Sequence, residues 1–398
     1  MPYLMVEVDV LAPFPEVLLG PCDTGVAMLV RRGGRPVGFV LEPLAAGTRL
    51  SSDEVDLLAG RAADSIVREA LLDELGRGEP TEPPSLTVAI CTRDRVDLLT
   101  RCLTHLREHA QGVDVLVVDN APPDSATRRL VEQLPHVRYA VEPLPGLDFA
   151  RNRALREATG DVVAFLDDDV VVDRGWLAGL REAWSLHPDA GAVTGQVLPL
   201  ELDTDAQIAF EANGGFRRGF HMVRYAGPVL AGNPLFPYGA GMFGAGCNMS
   251  YRRDVALALG GFDEALDTGA PLPGGGDLDM FHRVLRSGAA LVYAPSCLAF
   301  HQHRREHAAL RRQLYTWGTG HMAFVDKTYR ADPEGRPQLR RLVAWQLSRQ
   351  LRETVSAARG KSPLPVDVAL AELRGSLVGL TGTYRRSVRR SAAARSQR

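Results

Sequence analysis

The chain has 398 residues, of which 45% are hydrophobic and 24% charged, and its formal net charge is −2. This composition is typical of a globular protein with a main domain and accessory parts, and it excludes the strongly basic surface of a nucleic-acid-binding protein. The five cysteines are scattered without a CxxC pair, and no apolar run approaches the roughly 18 residues of a membrane-spanning helix. The N-terminus also lacks the pattern of a signal peptide, so the sequence predicts a cytoplasmic protein with reduced thiols.

Residues 1–80 are predicted to form a small accessory α+β unit. Strands at Val26–Arg31 and Val37–Leu41 flank Gly33-Gly34 and predict a β-hairpin. Ser51 and Glu54 make a capping-box pattern at the start of a helix. The proline- and charge-rich segment 79–84 cannot build a core and predicts a linker, and nothing before it resembles a catalytic motif.

From residue 85 onward, strands and helices alternate. Apolar strands are predicted at Leu86–Cys91, Val113–Val118, Val137–Val141 and Val162–Leu166, with amphipathic helices between them. Strict alternation predicts an α/β fold with a parallel, doubly wound sheet. Right-handed crossovers would bring the polar residues at successive strand ends to one edge of the sheet, where such folds bind ligands.

The most informative stretch is Asp161–Asp173, which reads DVVAFLDDDVVVD. A buried strand here ends in three adjacent acids, which repel one another unless they are solvated or neutralised by a cation. Alternation along an extended chain places Asp167 and Asp169 on one side and Asp168 on the other. Two carboxylates on one side suit Mg²⁺ or Mn²⁺, with phosphate oxygens of a substrate filling other positions.

The neighbouring polar residues suit a nucleotide. Asp119, at a strand end, could accept the imide N–H of a uracil or the hydroxyls of a ribose. Arg151 and Asn152 lie early in a helix, where donors favour anions, although Arg151 in a surface salt bridge is an alternative. The sequence contains neither G-x-G-x-x-G nor G-x-x-x-x-G-K-[ST], so neither a dinucleotide-binding fold nor a P-loop is indicated.

Four ordered segments over about eighty residues resemble the nucleotide-sugar-binding half of family 2 glycosyltransferases with the GT-A fold: TVAICTRDRVDLLTRCL, VLVVDNAP, GLDFARNRAL and GDVVAFLDDD. The resemblance implies an inverting transferase that uses a nucleotide-sugar donor, most simply a UDP-sugar, and a divalent metal. It also implies the donor-nucleotide contacts, which are Thr92, Arg95, Asp119, Arg151, Asn152, Asp167 and Asp168. Asp167 and Asp169 correspond to the D-x-D pair, and which acid besides Asp169 shares the metal stays open.

The second half continues the resemblance through GAGCNMSYRR, GGFDE and GGGDLDM. It implies that Asn248 and Gly276 lie in the acceptor or sugar site, where Trp176 and Asp279 are also expected, although Asp279 could equally be a first-turn acid favoured by the helix dipole. Family members usually have Glu-Asp where this chain has Gly276-Asp277. Because the aspartate is retained, Asp277 is the expected general base that removes the acceptor's proton.

His301 follows the last predicted strand, and the resemblance implies that it completes the metal or diphosphate site. Its neutral imidazole is a suitable ligand for Mn²⁺, and His303 is expected beside it on the rim. By itself a lone histidine is usually structural, so this prediction depends on its place in the series of motifs.

The predicted transferase domain covers 85–310, with a nucleotide-binding half at 85–173 and an acceptor half at 174–310. Residues 311–398 are predicted to be helical, with an interruption at Gly318–Gly320, and six arginines follow Thr383. That basic end could rest on anionic lipid, although such termini are more often solvated.

Two other functions stay open: a sugar-1-phosphate nucleotidyltransferase, and a non-catalytic nucleotide-binding or scaffold protein on a degenerate GT-A fold. The acceptor and the oligomeric state are not predicted.

Overall fold

The computed structural model describes residues 2–227, 229–230, 232–266, 269, 272 and 274–396. The N-terminal unit contains a three-stranded sheet of order β1-β3-β4, a two-stranded pair β2-β5, and two helices. In chain order its elements are β1 Leu4–Asp9, β2 Val17–Leu18, β3 Gly25–Arg32, β4 Arg35–Pro43, β5 Arg49–Leu50, α1 Ser52–Ala59 and α2 Ala63–Leu75.

The hairpin and the capping box predicted for this unit are confirmed. Gly33 and Gly34 join β3 to β4 with φ values of 56° and 82°, a left-handed conformation that favours glycine. The Ser51 backbone N–H donates to Glu54 Oε2 at 2.8 Å, and the Ser51 side chain accepts from the Glu54 N–H. The single helix predicted after Ser51 is wrong in one respect, because a 3₁₀ turn at Gly60–Ala62 divides it into α1 and α2.

Among the described residues, nine strands form the central sheet, in the order β10-β14-β11-β13-β9-β6-β7-β8, with β12 paired to β14. The strands are β6 Leu86–Thr92, β7 Asp114–Asn120, β8 Val137–Glu142, β9 Val162–Asp167, β10 Val170–Val172, β11 Ala190–Pro199, β12 Val223–Tyr225, β13 Asn248–Arg252 and β14 Ala290–His301. The helices between them are α3 Val96–His109, α4 Ala126–Glu132, α5 Leu147–Glu157, α6 Trp176–Leu186, α7 Asp205–Ala212, α8 Arg253–Ala258 and α9 Gly276–Arg286.

The predicted parallel sheet is correct for β6 to β9, which pair in parallel. The second half of the sheet is mixed, because β13 runs antiparallel between β9 and β11. Strand β6 is buried along its whole length, as its continuous apolar run requires. In register, Thr92 pairs with Asp119 and Cys91 pairs with Asp167, so the polar strand ends meet at one edge.

Four helices complete the chain: α10 His307–Ala331, α11 Arg336–Ala358, α12 Val366–Val378 and α13 Tyr384–Arg395. The interruption predicted at Gly318–Gly320 is wrong, since α10 passes through these residues without a break. The glycines instead permit close approach of α12, because a Cβ at Gly318 would lie 2.7 Å from the Ser376 amide nitrogen.

The N-terminal unit is attached to the central sheet by charged and apolar contacts. Arg31 donates to the Asp173 carboxylate at 2.5 and 3.2 Å, and both side chains are buried. Ala27, Leu29 and Phe39 belong to one buried cluster with Leu198, Leu202 and Leu298, which lie in or beside strands β11 and β14 of the central sheet. The predicted linker is pinned at Thr81, whose N–H and hydroxyl both donate to the Ser185 carbonyl.

The four cysteines Cys91, Cys102, Cys247 and Cys297 are buried and Cys22 is exposed, and all five are free thiols. Within the described parts of the chain, no helix combines the length and the apolar character needed to cross a membrane.

Candidate functional site

A cavity of about 1140 Å³ opens between the carboxyl-end edge of the sheet and the helices α10 and α11. Six residues predicted from the sequence line it: Arg95, Arg151, Asp167, Gly276, Asp277 and His301. They come from separate segments between β6 and the end of β14. The fold therefore brings predicted residues from both halves of the domain to the same cavity.

Asp168 is held within the protein by the residues that follow β6. Its carboxylate accepts from Thr92 Oγ1 at 2.8 Å and from Arg95 at 3.0 Å. Burial raises the pKa of Asp168, and the Arg95 charge opposes that effect. The predicted nucleotide contacts Thr92 and Asp168 therefore bond to each other, while Arg95 also borders the cavity.

Of the predicted metal ligands, Asp169 and His301 are brought into contact by the structure. His301 Nε2 lies 3.4 Å from Asp169 Oδ1, an oxygen that is buried and has no hydrogen-bond partner among the described residues. Burial lowers the pKa of His301 to about 4, so its imidazole is neutral near pH 7 and able to bind a metal. Arg95 and Arg304 each lie 3.6 Å from Asp169 Oδ2 and balance its charge.

His301 is oriented by a buried chain of polar side chains. Its Nδ1 lies 3.0 Å from His303 Nδ1, and His303 Nε2 lies 3.0 Å from Glu211 Oε2. Arg217 completes the chain by pairing with the Glu211 carboxylate at 2.6 Å. The prediction that His303 lies on the rim is wrong, because it is 2% exposed, and no motif in the sequence pointed to Glu211. Partners of this kind fix the orientation of a ligating histidine.

Asp167 faces away from this pair. Its Oδ1 lies 3.7 Å from Arg151, whose guanidinium also approaches Asp148 at 3.2 Å and the Gly246 carbonyl at 3.3 Å. Burial raises the pKa of Asp167 to about 7; Arg151 opposes this rise and the charge of Asp169 adds to it. The ligand atoms of Asp167, Asp169 and His301 do not all lie within 4.8 Å of one another in the described structure, so sharing a metal among the three would require their side chains to move.

Outside the sheet edge, the described residues contain one group of three metal-binding side chains whose ligand atoms already lie within 4.8 Å of one another. It consists of His105, Glu108 and His109 on α3. None of the three lines the cavity, so this cluster is separate from the predicted metal site.

Asp119 lies at the end of β7 and is fully buried rather than exposed to the cavity. Tyr139 donates its hydroxyl to Asp119 Oδ2 at 2.8 Å, whereas Oδ1 has no hydrogen-bond partner in the described structure. Burial raises the pKa of Asp119. The free oxygen is compatible with the predicted role as an acceptor of nucleoside hydrogen bonds.

Asn152 connects α5 to the GGFDE loop instead of reaching the cavity. Its amide nitrogen donates to the Phe262 carbonyl at 2.9 Å and to Glu264 at 3.0 Å, and its Oδ1 accepts from the Phe262 N–H at 2.7 Å. Both ends of the amide are thus engaged within the protein, and the structure gives Asn152 a position that anchors this loop.

Trp176, Asn248 and Asp279 are also placed away from the cavity. Trp176 donates its indole N–H to Asn248 Oδ1 at 3.0 Å, and the Asn248 amide donates to the carbonyls of Gln196 and Cys297. Asp279 is paired with Arg283 at 2.7 Å and with Lys327 at 2.6 Å. All three side chains are at most 2% exposed. They lie in the core rather than on the cavity wall, which differs from the predicted acceptor contacts.

Asp277 occupies the first turn of α9 and is half-buried on the cavity wall. Its carboxylate lies against Gly246, where an added Cβ would be 2.9 Å from Asp277 Oδ2. The Gly246 carbonyl in turn accepts from Arg151. This position, between the arginine and the open cavity, is compatible with the predicted base.

Sequence reasoning missed several residues that form the cavity. Arg218 hydrogen-bonds the carbonyls of Gly241 and Arg217, has no carboxylate partner among the described residues, and has a pKa lowered by burial. Phe216 and Trp317 contribute an aromatic wall, with ring centroids 5.4 Å apart. These residues come from an irregular loop and a C-terminal helix whose positions no motif indicated.

Residues 87–257 match the family described as Glycosyl transferase family 2. A pre-mycofactocin glycosyltransferase of Mycobacterium tuberculosis is 30% identical over 283 residues, covering 69% of this chain and 55% of that protein. The succinoglycan biosynthesis protein ExoM of Rhizobium meliloti is 30% identical over 226 residues, covering 54% of this chain and 66% of that protein. This chain thus spans about half the length of the mycobacterial relative.

Among solved structures, a mannosyltransferase from Pyrobaculum calidifontis in complex with GDP-Man and Mn²⁺ is similar, with a TM-score of 0.48 and 20% sequence identity. The similarity covers 85% of this chain and 95% of that chain.

Proposed function

Since the chain belongs to the family 2 glycosyltransferases, we propose that it transfers a sugar from a nucleotide-diphosphate sugar to an acceptor with inversion of the anomeric configuration. The GT-A fold predicted from the sequence is confirmed by the family match and by the parallel-rich sheet. The observation that best supports the activity is the convergence of His301, Arg151 and Asp277 on one cavity, with Asp169 in contact with His301 at 3.4 Å, because donor, metal and acceptor chemistry must meet in such a space.

The residues present fit a divalent metal. Asp169 offers a buried carboxylate oxygen without a hydrogen-bond donor, and neutral His301 faces it. Asp167 supplies a further carboxylate once it turns from Arg151. When bound, Mn²⁺ or Mg²⁺ would stabilise negative charge on the departing diphosphate.

The donor nucleotide is proposed to lie along the carboxyl ends of β6, β7 and β9. Asp119 would accept hydrogen bonds from the base or the ribose through its free Oδ1. UDP is the proposed nucleotide because the imide N–H of uracil is a suitable donor and because the family resemblance implies a UDP-sugar. Arg95 and Arg304, both close to Asp169, would hold phosphate oxygens.

Asp277 is proposed as the general base. Its half-buried carboxylate faces the cavity in which an acceptor must approach the donor sugar. It would take the proton from the attacking group as the bond to the anomeric carbon forms.

The experiment measures calorimetric binding of UDP, GDP, dTDP and ADP, each with and without Mn²⁺. We expect metal-dependent binding of one nucleotide, its loss in Asp169→Ala, and its retention in Asp277→Asn together with loss of sugar transfer. Because the α3 cluster could also bind the added metal, the measurements use a His105→Ala/His109→Ala background as the control. Equal nucleotide affinity in Asp169→Ala and its parent would contradict the metal assignment.

If no nucleotide binds, the non-catalytic alternative replaces the transferase proposal. If a nucleoside triphosphate and a sugar 1-phosphate react instead, the nucleotidyltransferase alternative is correct. No specific contact in the cavity favours either of them.

Contact of the basic C-terminus with anionic lipid stays a prediction. The α13 helix is anchored to the protein through Arg395, which pairs with Glu264, while Arg385, Arg386 and Arg389 are exposed. Co-sedimentation with vesicles of anionic and of neutral lipid tests this contact; equal binding to both would contradict it.

A further inference from the structure

The acceptor side of the cavity contains a second carboxylate that the sequence motifs did not assign. Asp148 lies in the first turn of α5, is 1% exposed and lines the same cavity as Asp277. The two acids belong to different halves of the transferase domain, since α5 follows β8 and α9 precedes β14.

Gly276, the first residue of α9, shows how closely Asp148 approaches this helix. A Cβ at position 276 would lie 2.7 Å from Asp148 Cγ and 2.9 Å from its Oδ1, far inside van der Waals contact. The Gly276 backbone is not in the left-handed region, so its conformation alone would permit alanine. The obstacle to a side chain at position 276 is therefore the Asp148 carboxylate, which occupies that volume.

Arg151 links this carboxylate to the other charged groups. Its Nη1 lies 3.2 Å from Asp148 Oδ1, and its Nη2 lies 3.7 Å from Asp167 and 3.3 Å from the Gly246 carbonyl. Asp277 lies against the same Gly246. Arg151 thus lies between Asp167, the acid expected on the donor side, and two acids assigned to the acceptor side, Asp148 and Asp277.

We propose that Asp148 and Asp277 act as a pair of acceptor-side carboxylates, with Asp148 supplying from α5 the acid that Gly276 does not carry. This proposal rests on the proposed glycosyl transfer. In the reaction, the acceptor O–H proton passes to Asp277 while the oxygen bonds to the anomeric carbon. The bond from that carbon to the phosphate oxygen breaks, and its electron pair leaves with the diphosphate. Asp148 accepts a hydrogen bond that holds the attacking group, which is water when no acceptor is bound.

The test needs no identified acceptor, because slow donor hydrolysis uses water as the attacking group. We compare wild type, Asp148→Asn and the matched control Glu157→Gln, a partly exposed acid at the other end of α5. The readouts are the Kd for the nucleotide with Mn²⁺, the rate of nucleotide release from the sugar donor, and the thermal unfolding midpoint. For Asp148→Asn we expect a nucleotide Kd within about twofold of wild type and a hydrolysis rate about 10- to 100-fold lower, the range for loss of a hydrogen bond to a charged group.

Moving the carboxylate from α5 to α9 distinguishes a role in holding the attacking group from a purely structural role. Gly276→Ala should slow hydrolysis as Asp148→Asn does, because its methyl group displaces the Asp148 carboxylate. The double variant Asp148→Ala/Gly276→Asp returns an acid to α9 in space that has been cleared, and it should recover at least part of the lost rate.

Three results would overturn the proposal. An unchanged hydrolysis rate in Asp148→Asn would show that Asp148 does not hold the attacking group. A parallel loss of nucleotide affinity would show that Asp148 serves only to position Arg151. Failure of the double variant to exceed Asp148→Ala, when both are folded, would exclude a transferable carboxylate role. Absence of nucleotide binding and of donor turnover in wild type would instead overturn the proposed function, and this inference with it.

Discussion

Asp167, Asp168 and Asp169 are consecutive in sequence but face three different environments. Asp168 is bonded to Thr92 and Arg95, Asp169 faces His301, and Asp167 turns toward Arg151. The turn between β9 and β10 separates them, since the first acid ends one strand and the other two precede the next. Their charges are balanced by three arginines: Arg151 lies near Asp167, Arg95 near both Asp168 and Asp169, and Arg304 near Asp169.

The pH dependence of metal binding follows from Asp167. Burial raises its pKa to about 7, and only the ionised carboxylate can bind a metal. Mn²⁺ affinity, measured by calorimetry, should therefore be about tenfold lower at pH 6 than at pH 8. His301, with a pKa lowered to about 4, stays neutral over this range and adds no dependence. In Asp167→Asn the difference between the two pH values should disappear; its persistence would assign the titration to another group.

The contacts of Arg218 predict that its substitution lowers activity with little effect on stability. Its guanidinium bonds two carbonyls but no carboxylate among the described residues, so Arg218→Met should change the free energy of unfolding by no more than about 1 kcal/mol. Arg283 also bonds two carbonyls and in addition pairs with buried Asp279, which keeps Lys327 as a second partner, so Arg283→Met should cost about 1–3 kcal/mol. Denaturant unfolding measures both values.

Donor turnover by Arg218→Met should fall, because the arginine lines the cavity without a competing carboxylate partner. Wild-type turnover in this variant, or a stability loss matching that of Arg283→Met, would contradict the prediction.

Sequence reasoning identified motif residues on strands and on helices, but only some of them line the cavity. Asp167 and Asp277 were found because they lie in specific motifs, and the sheet brings both motifs to one cavity. Trp176 and Asn248 were expected in the acceptor site, yet they bond to each other in the core. A motif gives the residue type and the element, but the direction of a side chain depends on long-range packing that the sequence does not display.

At the scale of elements, α10 and α12 pack through small residues. Positions Gly318, Gly375 and Gly379 face backbone atoms of the partner helix so closely that a Cβ at any of them would overlap with its neighbour. The sequence suggested that the glycines near residue 318 interrupt the helix, because glycine weakens helices in isolation. Tertiary contact outweighs that tendency, and α10 continues to Ala331.

Gly318→Ala should therefore destabilise the protein although alanine favours helices. Its Cβ would meet the backbone of α12, and overpacking of this kind costs about 1–3 kcal/mol. Gly60→Ala is the matched control, because nothing lies within 4 Å of its added Cβ and its φ of −59° suits alanine. Thermal unfolding should show a lower midpoint for the first variant and an unchanged or higher one for the second. A stable Gly318→Ala protein would contradict the packing argument.

At the scale of the whole molecule, the N-terminal unit supports the transferase half. The buried pair Arg31–Asp173 joins β3 to the segment after β10, and Arg35 pairs with Glu182 on α6. Arg217, which ends the polar chain from His301, also lies over the ring of Phe39 at 5.6 Å. The hairpin and the capping box could be predicted because they are local patterns. The docking of the unit could not, since Arg31 and Asp173 are separated by 142 positions.

Arg31→Met should destabilise the whole protein, because it leaves Asp173 buried without its main cationic partner. The expected cost is about 3–5 kcal/mol in the free energy of unfolding. The exposed pair Arg49–Glu16 provides the control, and Arg49→Met should cost at most about 1 kcal/mol. Denaturant unfolding followed by circular dichroism distinguishes the two. Equal small effects would show that docking of the N-terminal unit does not depend on the buried pair.

The docked hairpin also constrains how the protein is made. Its apolar residues Ala27, Leu29 and Phe39 are synthesised more than 250 residues before Leu298, which packs against them. At roughly 5–20 residues per second, that interval lasts tens of seconds. During this time the hairpin presents an uncovered apolar face, so chaperone availability and translation rate should affect the yield of folded enzyme more than the length of the chain would suggest.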